Sequence, residues 1–115
     1  MTEGNVRPWG HYDVLHSAVD HQVKTITVLP KKRLSLQAHE RRSELWVVVR
    51  GAAVATLDGC DIPLGVGEYV FIGAGSVHRM ENPGSKPLVF IEVQVGDYFG
   101  EDDIVRFEDD FGRAP

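Results

Sequence analysis

Four side chains able to hold a divalent cation stand at telling intervals: Gln37 and His39 two residues apart, Glu44 five further on, and His78 well downstream. In an extended strand alternate side chains share a face, so Gln37 and His39 emerge together while Leu34, Leu36 and Ala38 turn the other way. The turn Glu40-Arg41-Arg42-Ser43 allows a hairpin to bring Glu44 beside His39. His78, after the glycine-rich bend Gly73-Ala74-Gly75, has to arrive from a non-local strand. Amide oxygen, imidazole and carboxylate together suit one divalent ion, Zn first with Fe, Mn, Ni or Co as alternatives, and leave one or two coordination positions for substrate or water. The plainer reading makes His39 a turn histidine and His78 a surface one.

The elements that must position these groups are strands. Thr25 to Leu29 and Leu34 to His39 alternate in character, and Leu45 to Val49 and Leu88 to Val95 are dense in β-branched and aromatic residues. Pro30-Lys31-Lys32, Arg50-Gly51, Asp58-Gly59, Gly65-Val66-Gly67 and Asn82-Pro83-Gly84 punctuate them at the short intervals of an all-β sandwich or barrel. Asp58-Gly59 is the clearest hairpin signal, with strands expected over 52–57 and 60–64. Only Tyr98 to Ile104 reads as a turn of helix, acids at its N-terminus.

With 115 residues, 43% of them hydrophobic and 25% charged, the chain reads as one globular domain over 1–115. No apolar run can span a bilayer, and Met1 to Trp9 lacks the apolar segment of a secretory signal, so a cytoplasmic location and no membrane partner are expected. The single cysteine, Cys60, has no partner for an internal disulfide. Residues 101–115 hold six of the 17 acids but only two of the 12 cations, which makes the net charge of -5 largely a tail property. Without a basic stripe, nucleic acid is not an expected partner. The tail is read as a solvated or edge-covering segment.

Gln37-x-His39-x4-Glu44-x6-Gly51 followed by Gly67-x5-Gly73-x-Gly75-x2-His78-x3-Asn82 resembles the two-part signature of the cupin superfamily. The likeness narrows through Arg7-Pro8-Trp9-Gly10, Gln22-Val23-Lys24, Arg33-Leu34-Ser35-Leu36-Gln37, Trp46 to Val49, His78-Arg79-x-Glu81-Asn82-Pro83-Gly84, Ile91-Glu92-Val93-Gln94 and Gly100 to Arg106. These segments resemble the C-terminal cupin domain of type II mannose-6-phosphate isomerases, commonly fused behind a mannose-1-phosphate guanylyltransferase. The resemblance implies a double-stranded β-helix, a small jelly-roll barrel, with a metal held by Gln37, His39, Glu44 and His78. No glycine-rich nucleotide-binding loop is present, so nucleotidyl transfer is not expected of this chain.

The implied reaction interconverts mannose 6-phosphate and fructose 6-phosphate through an enediolate. It needs a base beside the sugar carbons, for which Glu92, on the same strand face as Gln94, is the candidate; the alternative is an outward-facing strand residue. Lys24, Arg33, Arg79 and Arg106 match family positions suited to the phosphate of a hexose phosphate. Lys31 stands where the first motif has glycine and Gly73 where the second has proline, and a different turn type is expected to spare Lys31 a positive φ. Around the metal the family reads Gln-Met-His-His-His-Arg-Ala-Glu-His-Trp; here Glu40, Arg41 and Leu45 replace three of its four histidines. That loss motivates an alternative, a non-catalytic cupin binding a sugar phosphate or nucleotide sugar, and a weaker one, a metal-dependent oxygenase. The small size, and an N-terminal segment over 7–15 able to add a strand to a neighbour's sheet, lead to an expected homodimer.

Overall fold

The computed structural model describes residues 5–114. Among them run eleven strands: β1 (Val6–Arg7), β2 (Gly10–Ser17), β3 (His21–Val28), β4 (Leu36–Ala38), β5 (Arg42–Arg50), β6 (Ala53–Leu57), β7 (Cys60–Leu64), β8 (Tyr69–Ile72), β9 (His78–Glu81), β10 (Leu88–Gly96) and β11 (Val105–Glu108). They form a six-stranded sheet, β1-β2-β3-β10-β5-β8, and a five-stranded sheet, β11-β4-β9-β6-β7, all pairs antiparallel. The all-β expectation holds, and no described helix is long and apolar enough to cross a membrane.

Alternation divides the inner face of the large sheet lengthwise. At one end Ile26 and Val28 of β3, Leu88 and Phe90 of β10 and Val48 of β5 join Ala53, Ala55, Leu64 and Met80 of the small sheet in one buried core. The small alanines leave room for Trp46 and Phe90, whose rings lie 5.3 Å apart. At the other end the same inward positions are polar: Lys24, Arg42, Glu44, Glu92 and Gln94 are all buried. Buried charges persist only where they are paired or serve a ligand, so this end is where chemistry belongs.

The turns decide which strands meet. Asp58 (φ 48°) and Gly59 (φ 85°) join β6 to β7 with Leu57 paired to Cys60, the left-handed pair that matches strand twist. Lys31 corrects its sequence expectation. Pro30 and a hydrogen bond from Lys32 N to Leu29 O make a turn that demands a left-handed third residue, and Lys31 adopts φ 63° instead of escaping it. Its ammonium then donates to the Pro83 carbonyl at 2.5 Å. The segment 7–15 pairs with β3 through β2 in its own sheet. One further expectation changes. Residues 98–104 form no helix but a strap of turns, closed by Asp103 N to Gly100 O at 3.2 Å. The acidic tail supplies β11, which covers the edge of β4.

Candidate metal centre

Strand register assembles the site. Across β3, β10 and β5, Lys24, Glu92 and Trp46 form one row, and Gln94 faces Glu44 in the next. In the small sheet Gln37 pairs with Arg106 on one side and His78 on the other, which puts these three side chains on a common face. His39 follows β4 by one residue and is 5% exposed.

His39, Glu44 and His78 converge, with one ligand atom from each lying within 4.8 Å of the other two. Glu44 bridges the histidines: Oε2 is 3.5 Å from His39 Nε2 and Oε1 is 3.7 Å from His78 Nε2. Ligand atoms around one tetrahedral zinc stand about 3.4 Å apart. Each imidazole is held by a backbone carbonyl, His39 Nδ1 by Asp103 O at 2.5 Å and His78 Nδ1 by Ser76 O at 2.9 Å. A carbonyl only accepts, so Nδ1 carries the proton and each Nε2 keeps a lone pair beside Glu44, that of His39 accepting from Arg42 Nη2. Burial, reinforced by the Arg42 charge, lowers His39 to about 4, and burial lowers His78, which keeps both rings in the neutral form a metal requires. His78 Nε2 is buried with no hydrogen-bond partner, a lone pair aimed at a position that a cation would fill. The residues present therefore fit a divalent ion. Gln37, the fourth expected ligand, lines the same pocket as His39 and Glu44.

Around this triad stand groups that order it. Arg42 Nε donates to Glu44 Oε2 at 2.9 Å and its Nη2 lies 3.2 Å from His39 Nε2. The Trp46 indole N–H is shared between Glu44 Oε1 (3.1 Å) and Glu92 Oε2 (3.0 Å), so one donor orients both carboxylates. Gln94 donates to Glu92 Oε1 at 2.5 Å. Burial and the neighbouring Glu44 charge raise Glu92 to about 7. Glu92 thus points inward, into the pocket wall, and not to the outer face.

The pocket offers about 580 Å³ of space counted out to its open mouth. Lys24 and Arg106 line it, as do Arg7, Tyr12, Glu101 and Arg113. Arg33 and Arg79 do not. Arg33 makes a two-pronged ion pair with Asp110 (2.8 and 3.0 Å), and Arg79 donates to Leu34 O and Glu108, so both anchor the C-terminal segment. Leu34, expected to face away from Gln37 and His39, lines the pocket because the chain before β4 is not a continuous strand. Glu40 and Arg41 are exposed, and Leu45 lies on the opposite face of β5 from Glu44 and Trp46.

Sequence reasoning missed Arg42, although it shares a β5 face with Glu44 and Trp46 and the alternation alone could have found it. Arg7 and Asp103 carried no such signal. Asp103 binds the turn that delivers the ligands: its carboxylate accepts from Glu40 N (3.1 Å) and Arg41 N (3.0 Å) while its carbonyl holds His39. Asp103→Ala keeps the carbonyl that holds His39 but removes the carboxylate that fixes the turn after it, and is expected to weaken zinc binding by up to about 10-fold, the low end for outer-shell changes. Competition with a chromophoric chelator measures this, and an unchanged affinity in a folded variant would refute it.

The family described as mannose-6-phosphate isomerase C-terminal matches residues 2–109. The chain belongs to that family. It is 50% identical over 108 residues to the mannose-1-phosphate guanylyltransferase of Escherichia coli strain K12, a match covering 94% of this chain and 23% of that protein. Against the alginate biosynthesis protein AlgA of Pseudomonas aeruginosa the identity is 51%, covering 94% and 22%. The chain thus spans less than a quarter of these relatives. An uncharacterized conserved protein of Klebsiella pneumoniae with a double-stranded β-helix domain superposes with a TM-score of 0.76 at 22% identity, covering 93% of this chain and 94% of that one. The fold is the double-stranded β-helix of the cupins.

Proposed function

We propose that this chain is a metal-dependent aldose–ketose isomerase domain interconverting mannose 6-phosphate and fructose 6-phosphate. One observation carries the reading: His39 and Glu44 of a metal-competent triad and a buried carboxyl with a pKa near 7 line one pocket together with cationic side chains, and His78 closes the triad behind them. His39, Glu44 and His78, with Gln37 beside them, would hold the ion. When bound, a divalent ion supplies Lewis-acid stabilisation of the negative oxygen that develops as the enediolate forms. Lys24, Arg106 and Arg7 supply the charges for the phosphate, Arg113 being held by Asp109, and the buried, unpartnered Nε of Arg106 supports an anion there. Glu92 takes the proton from C2 and returns it to C1, a task suited to a carboxyl poised near neutrality. Trp46 keeps that carboxylate aimed by its indole N–H.

The departures that motivated a binding-only module, Glu40, Arg41 and Leu45, point away from the pocket, which favours turnover. The relatives' names place them in alginate synthesis and guanylyl transfer, and we assign this domain to the same kind of pathway, supplying the hexose phosphate that precedes nucleotide-sugar formation. The test is a coupled assay of fructose 6-phosphate formation from mannose 6-phosphate, after chelation and after metal is restored. Metal-bound protein that turns over none of several hexose phosphates would refute the proposal in favour of the binding module.

A further inference from the structure

Besides Glu44 and Glu92, a third carboxylate lines the pocket, and it sits among the cations assigned to the phosphate. Glu101, on the strap of turns over 98–104, has its Oε1 3.9 Å from Arg7 Nη2 and its Oε2 3.9 Å from Lys24 Nζ. Tyr12 completes the surround: its hydroxyl accepts from Arg7 Nη2 at 3.1 Å, and its ring lies 4.4 Å from the Lys24 ammonium. Burial and then the Glu101 charge raise the Tyr12 phenol, so its O–H remains a donor beside an anion. Lys24 is buried while the Glu101 side chain is 55% exposed, so a buried cation is matched by a group standing half in solvent. At 3.9 Å both contacts are ion pairs without hydrogen bonds, and pairs of this kind are weak. The backbone beneath Glu101 is fixed. Asp103 binds His39 and the turn at Glu40 and Arg41, the Tyr98 hydroxyl donates to Asp102, and Asp103 N donates to Gly100 O. Release of the Glu101 carboxylate is therefore a rotation of its own side chain, with the strap left in place.

We infer that Glu101 is a charge gate: its carboxylate fills the anion subsite until a phosphate takes its place, and so restricts the pocket to phosphorylated sugars. The gate rests on the isomerase reading, in which Lys24, Arg7 and Arg106 meet the phosphate. Charge and acceptor number decide the exchange. A phosphomonoester near pH 7 carries about −1.5 to −2 charges on three terminal oxygens, against a single charge on the two oxygens of a carboxylate. The phosphate therefore holds Arg7 and Lys24 more strongly, and it also meets the Arg106 Nε, which is buried without a hydrogen-bond partner. A neutral hexose replaces neither ion pair. Its entry would leave Lys24 buried and unpaired, which is unfavourable. Discrimination then comes from an occupant that only a sufficiently charged ligand displaces.

Isothermal titration of inorganic phosphate into the full chain, treated with chelator so that no metal captures the anion, tests the gate. Glu101→Gln is expected to bind phosphate about 5- to 20-fold more tightly than wild type, the gain from removing two exposed ion pairs worth up to about fivefold each. Glu40→Gln, at an exposed position outside the pocket, removes the same charge and should stay within about twofold of wild type. Adding Lys24→Met to Glu101→Gln should abolish the gain, which places it at the subsite. Tighter binding is a change that structural damage does not produce, and a cooperative melt of each variant accompanies the titration. A Glu101→Gln protein that binds phosphate no more tightly than wild type, or no more tightly than Glu40→Gln, overturns the gate and leaves the phosphate site standing. A gain that survives Lys24→Met overturns it too. Absence of phosphate binding in every variant removes the anion subsite itself, and the gate falls together with the phosphate contacts of the isomerase reading.

Discussion

Replacing His78 with alanine is expected to lower zinc affinity by more than about 100-fold, beyond what loss of an outer-shell partner costs. The reasoning is geometric. His78 Nε2 is buried, lacks a hydrogen-bond partner and lies 3.7 Å from Glu44 Oε1. No other described His, Cys, Asp or Glu joins the triad, so nothing replaces the lost ligand. The ring's other nitrogen is held by Ser76 O, and the ring also packs edge-on against Trp46 (5.3 Å) and beside His39 (5.2 Å), so a cooperative melt of the variant is checked first. His16→Ala, at an exposed position on β2, is the matched control and should leave affinity unchanged. Chelator competition on folded protein decides the matter: equal affinity for the two variants removes His78 from the ligand set.

Glu92→Gln is expected to lower kcat for mannose 6-phosphate by about 10²–10⁴, the usual contribution of a positioned general base. KM and zinc affinity should change little, because the phosphate is gripped by other residues and Glu92 lies outside the triad. A fall in metal content equal to the fall in rate would refute a role in proton transfer. The same substitution has a signature in stability. Glu92 is raised from 4.5 to about 7 in the folded protein, so between those values the native state keeps a proton that the unfolded chain has released. Its contribution to stability is therefore full below about 4.5 and is lost as pH climbs toward 7, a change of at most about 3 kcal/mol. Glutamine does not titrate, so the stability of Glu92→Gln relative to wild type, both metal-free, should increase from pH 5 to pH 8. His39 and His78 act in the opposite sense in both proteins, and because the Glu92 charge raises both, its loss adds to the expected rise with pH. Urea unfolding at the two pH values measures it; a flat difference means Glu92 is ionised throughout.

The fold was legible because its strands announce themselves through alternation and its turns through Asp58-Gly59 and the glycine pairs. The triad was legible in part: the short separation of His39 and Glu44 placed them together, but the hairpin expected between them does not form, since β4 and β5 lie in different sheets, and His78 arrives across β9. Glu92 was found through its face but not its environment, because the indole of Trp46 that it shares with Glu44 belongs to a neighbouring strand. The mouth was read less well. Arg33 and Arg79 carry the right charge, yet their partners Asp110 and Glu108 lie far along the chain, and no local pattern shows that a distant carboxylate has claimed an arginine. Asp103 was hidden for a related reason: its work is done by a carbonyl and by contacts to main-chain amides, which leave no trace in side-chain type.

The division of β5 and β10 into two sets of alternating residues ties two properties to one variable. Slipping β5 by a single residue would turn Glu44 to the exterior and drive Val47 into the cavity, and slipping β10 would do the same to Glu92 and Gln94 and to Ile91 and Val93. Hydrophobic packing and cation capture would fail together, so whatever selects against misalignment for one of them protects the other.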